Sequence, residues 1–306
     1  MTKALQIYRE LAKSGIVALV LISVLGGYLC GHPFERPLDW LHLNKTLVGI
    51  FLLAAGSSAL NQVQEMEVDA RMPRTAKRPL PSGRISKFHA LVFCFLTICG
   101  GISILSSLGQ PLAWLGGTAV ISYNGLYTLW WKRRWAFAAI PGAIPGALPI
   151  LMGYAAASGT VWSRGGLYLF FILFYWQMPH FWSLAIRFRE DYFSGGFPTL
   201  PVAKGISKTR FHTTVWSFSY VALGLSAPLF LQTGWTYFTI SFLTGAKVLW
   251  ELRKYLQATR SDIDGETSAA KQYWLPFFLW INFSLIFYIF GAVIDLWSVY
   301  LVAHFR

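Results

Sequence analysis

The sequence has few charged residues and few cysteines. Only 13% of the 306 residues are charged, and 13 Asp and Glu stand against 26 Lys and Arg. This shortage of charge excludes an ordinary soluble domain, since about a quarter of the residues in such domains are charged. Cys30, Cys94 and Cys99 lie in apolar stretches, at spacings that suit neither a zinc site nor a disulfide framework. We expect them to be core residues.

Apolar residues are correspondingly abundant. Hydrophobic residues make up 55% of the chain, and its mean hydropathy is +0.48. Nine apolar stretches approach the length needed to cross a bilayer. They cover residues 14–31, 44–63, 88–108, 111–131, 135–157, 165–187, 211–231, 234–250 and 273–299. The sequence therefore predicts an all-α, polytopic membrane protein with nine transmembrane helices, forming a single domain over residues 1–306.

The positive charge is concentrated in alternate loops. If the N-terminus is cytoplasmic, all but four of the 26 Lys and Arg residues lie on the cytoplasmic side. The four exceptions are Arg36, Lys45, Arg164 and Arg306. The positive-inside rule predicts a cytoplasmic N-terminus and an external C-terminus. Orientation thus accounts for most of the net charge of +13, and no nucleic-acid partner is needed to explain it. No small-residue cleavage site follows the first apolar stretch, so we expect a retained helix rather than a signal peptide. The lack of an Arg- and Ser-rich transit segment favours a bacterial plasma (inner) membrane over an organelle.

One loop, at residues 64–87, combines oxygen ligands with cations. On a continuous helix Asn61, Glu65 and Asp69 are four residues apart and drift only about 40° per step, so they form one stripe. Mg²⁺ is usually held by one or two carboxylates together with substrate phosphate oxygens. The cations that could neutralise such a diphosphate are Arg71, Arg74, Lys77 and Arg78. The alternative is that the acids only solvate a helix end.

A second loop, at residues 188–210, repeats this order of residue types. Glu190 and Asp191 are followed by Leu200-Pro201 and then by Gly205, Ile206 and Ser207. The two acidic loops could hold two metal ions across one diphosphate, with Glu190 and Asp191 among the ligands. The alternative is that these two acids only pair with Arg187 and Arg189.

Several motifs together resemble one family of membrane enzymes. They are the Asn61-Gln62, Glu65, Asp69, Arg74-Thr75 and Arg78-Pro79-Leu80-Pro81 series, Tyr127-Thr128, Gly146-Ala147-Leu148-Pro149, Pro179-His180-Phe181-Trp182 and Glu190-Asp191-Tyr192. The chain resembles the UbiA-type intramembrane prenyltransferases, and within them the protoheme IX farnesyltransferases, or heme O synthases. It departs from their common pattern at Ser14, at Ala138 to Gly142 and at Gln177-Met178, which is typical of a divergent bacterial subgroup.

The resemblance implies a fold and a reaction. The nine helices would surround a central cavity that faces the cytoplasm. Farnesyl diphosphate would bind there through Mg²⁺ to Asn61, Glu65, Asp69 and Asp191, with further diphosphate contacts from Lys132 and Arg133. A vinyl group of heme B would then take the farnesyl group and give heme O. The resemblance also implies contact with heme A synthase or with assembly factors of the terminal oxidase.

His180 is the main candidate for the acceptor side of the reaction. The resemblance implies that His180, with Trp176 and Tyr127 nearby, ligates the heme iron or flanks the macrocycle. A single histidine in an apolar span is otherwise more often a packed core residue.

Two other functions remain open at this point. Prenyl transfer to another acceptor, such as 4-hydroxybenzoate or a quinone precursor, would use the same diphosphate site. A transporter for a metal or an anion would also carry acids within a membrane domain. The clustering of the acids on one face of the membrane argues against a transport path.

Overall fold

All regular secondary structure in the part that the structure describes is helical. A computed structural model describes residues 3–258 and 268–304, with side chains for residues 4–258 and 272–298. Arg260 and Arg306, which entered the charge count, lie outside these residues, as do the side chains of Lys3 and Lys271. The α-helices are α1 (Lys3–Leu11), α2 (Ser14–Gly31), α3 (Trp40–Gln64), α4 (Met66–Asp69), α5 (Lys87–Leu108), α6 (Gln110–Val120), α7 (Lys132–Arg134), α8 (Ala139–Ser158), α9 (Arg164–Arg187), α10 (Arg189–Ser194), α11 (Leu200–Lys204), α12 (Ile206–Leu225), α13 (Trp235–Ala258) and α14 (Ser268–His304). A π-helix (Ile121–Trp131) joins α6 to α7, and a short 3₁₀-helix (Ala227–Leu229) follows α12.

Six helices in the described ranges are long and apolar enough to cross a membrane. They are α2, α3, α5, α8, α9 and the Gln272–Ser298 part of α14. In the most apolar window of α5 only 17% of the residues are buried inside the protein, and Phe95 and Leu96 are largely exposed. A soluble protein rarely exposes apolar surface of this extent, so these helices contact lipid. The chain is an integral membrane protein.

The three remaining predicted stretches are helical as well, although they are not among those six. Residues 111–131 are divided between α6 and the π-helix. Residues 211–231 overlap α12, whose first turns carry charged residues. Residues 235–250 of the last stretch lie in α13, whose last turns carry charged residues. Nine membrane crossings therefore stay a prediction.

The long helices follow one another around a ring. Each packs on the next from α2 through α3, α5 and α6, and then from the π-helix through α8, α9, α12, α13 and α14. The last helix, α14, returns to pack on α2, and α2 also packs on α8. The largest core cluster lies among α9, α12, α13 and α14, and includes Tyr220, Tyr237 and Phe277. A smaller cluster around Leu53, Leu105 and Met152 joins α3 and α5 to α8.

The loops rich in cations gather at one end of this ring. The end is formed by the start of α2, the end of α3, the start of α5, the end of the π-helix and the end of α9. The predicted loops 64–87 and 188–210 match the observed connections from α3 to α5 and from α9 to α12. Both loops therefore border the same end of the helix ring.

Candidate active site

The predicted oxygen stripe lies where α3 gives way to α4. The α-helix stops at Gln64, because Glu65 has φ −107° and ψ 8°, and a single turn resumes at Met66. The backbone nevertheless keeps its helical hydrogen bonds across the break, from Glu65 N to Asn61 O (3.0 Å) and from Asp69 N to Glu65 O (2.7 Å). The stripe was predicted on the condition of a continuous helix, and here the helix is interrupted at Glu65 while its hydrogen bonds continue. Asn61, Glu65 and Asp69 still face one cavity.

Each of these three side chains is paired with a different cation. Lys13 Nζ donates to Asn61 Oδ1 at 2.6 Å, and Arg78 Nη1 donates to Asp69 Oδ2 at 2.7 Å. Lys132 Nζ donates to both carboxylate oxygens of Glu65, at 2.6 and 2.8 Å. The acceptors are almost fully buried. A charge is buried at low cost only when it is paired in this way.

The charges of the site shift the proton affinities of its members. Burial raises the pKa of the Glu65 carboxyl, but the Lys132 and Lys13 ammonium groups outweigh burial, and the net pKa lies below its ordinary value. Burial lowers the pKa of the Lys13 ammonium to about 7, and Arg78 lowers it further, against the opposite effect of Glu65. The Glu65 carboxylate is therefore ionised at neutral pH and available as an oxygen ligand.

Asp69 has an unused oxygen atom. Its Oδ1 is buried and has no hydrogen-bond partner, while Oδ2 binds Arg78 and the main-chain carbonyl accepts from Thr75 Oγ1 at 2.8 Å. Leaving a buried carboxylate oxygen without a partner costs free energy, so this oxygen fits the role of a ligand to a bound metal ion. No three His, Cys, Asp or Glu side chains in the described ranges are grouped as a complete metal site. The set of hard oxygens fits Mg²⁺ that arrives with phosphate oxygens.

The second acidic loop reaches the first through Arg74. Arg74 Nε lies 3.4 Å from Asp191 Oδ2, and the guanidinium lies over the Phe188 ring at 5.2 Å. Asp191 thus pairs across the two loops rather than with its neighbours Arg187 or Arg189. Glu190 is exposed, because successive residues on a helix point about 100° apart. Of the two predicted acids, only Asp191 contacts a residue that lines the cavity, and neither acid is itself among the lining residues.

A polar cavity of about 350 Å³ lies between the two loops. Three predicted diphosphate contacts line it, Arg74, Arg78 and Lys132, and Lys132 Nζ also lies 4.4 Å from the centre of the Phe197 ring. The other lining residues include Lys13, Thr75, Tyr123, Tyr127, Gln177, Phe181, Tyr192 and Phe197. Cations, oxygen ligands and aromatic faces therefore meet in one space.

An apolar cavity of about 250 Å³ adjoins the polar one. Ile16, Tyr123, Gly142 and Gln177 line both. The apolar cavity extends among α2, α3, the π-helix and α8, and is bounded by side chains such as Leu53 and Met152. A long π-helix is rare and commonly marks a functional site, and here it presents Tyr123 and Tyr127 with their rings 6.0 Å apart.

Two glycines make room at the junction of the cavities. A Cβ on Gly142 would strike the Tyr127 ring, and one on Gly146 would strike the Gln177 carboxamide. Gln177 Nε2 donates to Ala143 O at 2.9 Å and to Leu173 O at 3.2 Å, which holds that carboxamide against α8. The junction is shaped by close contact between α8 and its two neighbours.

Three predicted diphosphate contacts do not line the cavity. Arg71 and Lys77 are exposed, and Arg133 donates from Nη2 to Gln64 O at 3.0 Å. This contact satisfies a carbonyl at the end of α3, where a cation also complements the helix dipole. Lys132 and Arg133 are adjacent on one helical turn, so only one of them faces the cavity.

The predicted acceptor residues are divided between two places. Tyr127 lines the polar cavity. His180 instead packs between Trp176 and Phe278, with ring centres 4.6 and 5.0 Å away, and its Nδ1 is buried without a partner. Trp176 Nε1 donates to Ile281 O at 2.8 Å. Both residues therefore face α14, and neither is among the residues that line the cavity.

The polar cavity also contains residues to which the sequence pattern assigned no role. The polar ones among them include Lys13, Tyr123, Gln177 and Tyr192. Tyr192 had a usable signal, since it follows Asp191 directly. Tyr123 had one as well, since it lies four residues before the predicted Tyr127 on the same helix. Lys13 reaches the site only through a contact between distant segments, and no local spacing indicates it.

Comparison with known proteins identifies the relatives of the chain. A model of the family described as the UbiA prenyltransferase family matches residues 20–282. The protoheme IX farnesyltransferase of Bdellovibrio bacteriovorus is 45% identical over 300 residues, covering 98% of this chain and 99% of the relative. The protein of the same name from Aquifex aeolicus is 41% identical over 219 residues, covering 71% of this chain and 74% of the relative.

Solved structures with low sequence identity share the fold. A digeranylgeranylglyceryl phosphate synthase has a TM-score of 0.75 and 19% identity, covering 95% of this chain and 99% of its own. A UbiA homolog from Archaeoglobus fulgidus, solved with GPP and Mg²⁺, has a TM-score of 0.67 and 17% identity, covering 94% of this chain and 99% of its own. These likenesses extend over nearly the whole chain.

Proposed function

The chain belongs to the UbiA prenyltransferase family, and we propose that it transfers a farnesyl group from farnesyl diphosphate to a vinyl group of heme B, giving heme O and diphosphate. The geometry that carries this proposal is the junction of the two cavities at Tyr123, Gly142 and Gln177. A polar cavity that joins an apolar one suits a substrate with a charged head and an isoprenoid tail. The acceptor follows from relatives that are named protoheme IX farnesyltransferase.

The reaction exchanges one bond for another. The C1–O bond of farnesyl diphosphate breaks, and diphosphate leaves with the electron pair. The vinyl π electrons of heme B form the new bond to C1. The cation left beside the porphyrin ring takes up water and loses a proton, which completes the hydroxyethylfarnesyl group. The protein must therefore stabilise a departing anion and exclude bulk water until the acceptor is in place.

The residues of the polar cavity suit the first of these tasks. Lys132, Arg78 and Arg74 present cations to the space in which diphosphate would lie. Fixed charges in a site with little water stabilise developing negative charge far more strongly than water does. Tyr127 and Phe181 offer π faces to the allylic cation. The apolar cavity holds the farnesyl tail and keeps water from C1.

The metal would be held by the residues with free or exchangeable oxygens. Asn61 would supply such an oxygen from the end of α3, Glu65 and Asp69 from the first loop, and Asp191 from the second loop through its contact with Arg74. When bound, Mg²⁺ supplies positive charge that lowers the cost of releasing diphosphate. Glu190 remains a predicted further ligand, and its exposed position gives it the weakest support in this set.

The placement in the membrane completes the proposal. We propose a single domain over residues 1–306 with nine crossings, a cytoplasmic N-terminus and a cavity open to the cytoplasm. The gathering of the cation-rich loops at the cavity end supports this orientation. The bacterial origin of the relatives supports the inner membrane. Contact with heme A synthase or with terminal oxidase assembly factors stays a prediction.

The test is a comparison of acceptors. Purified protein in detergent is incubated with farnesyl diphosphate, Mg²⁺ and either heme B or 4-hydroxybenzoate, and the products are weighed by mass spectrometry. We expect heme O from the first mixture and no prenylated product from the second. Prenylated hydroxybenzoate without heme O would overturn the acceptor. If no pyrophosphate is released with any acceptor, the proposal that the protein is a prenyltransferase is overturned.

A further inference from the structure

Lys13 has an unusual backbone conformation. Among the described residues it is the one non-glycine residue with positive φ, at φ 52° and ψ 53°. It closes α1, since Lys13 N donates to Glu10 O at 3.1 Å, and it opens α2, since Ile16 N donates to Lys13 O at 2.9 Å. The left-handed region costs free energy for any residue with a Cβ. Glycine would suit the turn better, so backbone conformation does not explain why a lysine occupies this position.

The surrounding contacts fix this turn against the oxygen stripe. Gln62 Nε2 donates to Glu10 O at 3.0 Å and to Leu11 O at 2.7 Å, at the end of α1. Arg84 Nη2 pairs with Glu10 Oε2 at 2.6 Å. Gln62 follows Asn61 directly, so adjacent residues of α3 hold the end of α1 and receive the Lys13 ammonium. The first helix thus serves to position Lys13.

We propose that Lys13 is a further substrate-binding residue, which contacts the diphosphate of the prenyl substrate when Asn61 turns to the metal. The proposal rests on the proposed function. Each oxygen of the stripe has one cation in this structure, and Lys13 fills the place at Asn61 that Lys132 fills at Glu65 and Arg78 at Asp69. With Mg²⁺ and diphosphate bound, Asn61, Glu65 and Asp69 would hold the metal, and Lys13, Lys132 and Arg78 would contact the phosphate oxygens.

The test measures binding of inorganic pyrophosphate and Mg²⁺ by calorimetry to the full chain in detergent. Lys13→Met removes the ammonium and keeps most of the side-chain length. We expect it to weaken Mg²⁺-dependent pyrophosphate binding by about tenfold or more, the size of one charge-assisted hydrogen bond. Lys87→Met is the matched control, because Lys87 is exposed in the first turn of α5 and does not line the cavity. It should bind pyrophosphate like the wild type.

A second variant guards against a folding defect. Lys13→Gly removes the ammonium and suits the left-handed turn, so we expect a melting temperature no lower than that of the wild type together with the same loss of pyrophosphate binding. Binding of Mg²⁺ alone should not weaken in either variant, because Asn61 loses a competitor. Weaker binding of both probes would indicate a collapsed site and overturn the role of Lys13.

Two results separate this inference from its premise. Wild-type protein that binds no pyrophosphate in the presence of Mg²⁺ would overturn the proposed function and Lys13 with it. If the wild type binds pyrophosphate and both Lys13→Met and Lys13→Gly bind it equally well, the proposed role of Lys13 alone is overturned.

Discussion

Arg74 Nε lies 3.4 Å from Asp191 Oδ2, and this contact joins two loops that are more than a hundred residues apart in the chain. Arg74 lines the polar cavity and is 41% exposed at its side chain, whereas the side chain of Asp191 is 18% exposed. A pair this accessible adds little stability, in the range of about 0–1 kcal/mol. The contact is therefore not one on which the fold depends.

The pair predicts non-additive kinetics. Asp191→Asn and Arg74→Met should each lower kcat/KM for farnesyl diphosphate by about tenfold or more, because each removes a charge from the site. The double variant should have about the same kcat/KM as the less active of the two single variants, since the residues act as a unit. The measurement is steady-state pyrophosphate release. Lys204→Met, an exposed residue of the same loop, is the control. Strictly additive losses would show that the pair is not a functional unit.

Asp69 should be essential for turnover and dispensable for folding. Asp69→Asn keeps the shape of the side chain and an acceptor for Arg78 but removes the charge that a metal needs. We expect turnover to fall by about a hundredfold or more. Pyrophosphate release gives the rate, and a thermal melt in detergent shows whether the fold is kept.

The control for Asp69 lies two residues away. Glu67 is exposed, so Glu67→Gln should keep full activity. Near-normal turnover by Asp69→Asn would show that the oxygen stripe only solvates the end of α3.

Spacing along the chain predicted the part of the site that is local. Residues four apart at the end of a helix share a face, and Asn61, Glu65 and Asp69 do face one cavity even though the helix is interrupted at Glu65. Spacing could not decide between neighbours. Adjacent residues on a helical turn point about 100° apart, so Lys132 enters the cavity while Arg133 binds the end of α3.

The part of the site that spacing did not predict depends on contacts between segments that are distant in the chain. Lys13 lies 48 residues before Asn61, and only the left-handed turn at Lys13 and its fixation by Gln62 bring the two together. His180 shows the reverse case, a residue in a suggestive motif that the packing of α9 on α14 turns away from the cavity. The helices and the membrane character follow from composition and from the lengths of the apolar stretches. Which helix faces pack against each other depends on the arrangement of all the long helices.

His180 carries the prediction about the acceptor. Its Nδ1 is buried without a partner, which leaves a nitrogen atom that an iron or another polar group could satisfy. We expect His180→Ala to reduce heme O formation more than farnesyl diphosphate binding. Parallel measurements of product formation, of farnesyl diphosphate affinity and of the heme absorption spectrum separate these effects. Equal loss of both activities, with a lower melting temperature and an unchanged spectrum, would assign His180 to packing against Phe278.

The apolar cavity should set how much isoprenoid the protein accepts. Ala54 lines this cavity and not the polar one, so Ala54→Phe adds a ring to a space of about 250 Å³ and leaves the diphosphate contacts intact. We expect KM for farnesyl diphosphate to rise by about tenfold or more, since close-packed interiors yield little to added volume. KM for the shorter geranyl diphosphate should rise less, and pyrophosphate affinity should not change.

The control for this variant makes the same substitution on the lipid-facing surface. Ala222 is exposed on α12, and Ala222→Phe should leave the KM values of both substrates unchanged. If Ala54→Phe raised the two KM values equally, or weakened pyrophosphate binding as well, the tail would not lie in the apolar cavity. A selective loss of the longer substrate would tie chain length to the space between α3 and α8, because only a tail that extends past the junction at Gln177 can meet the added ring.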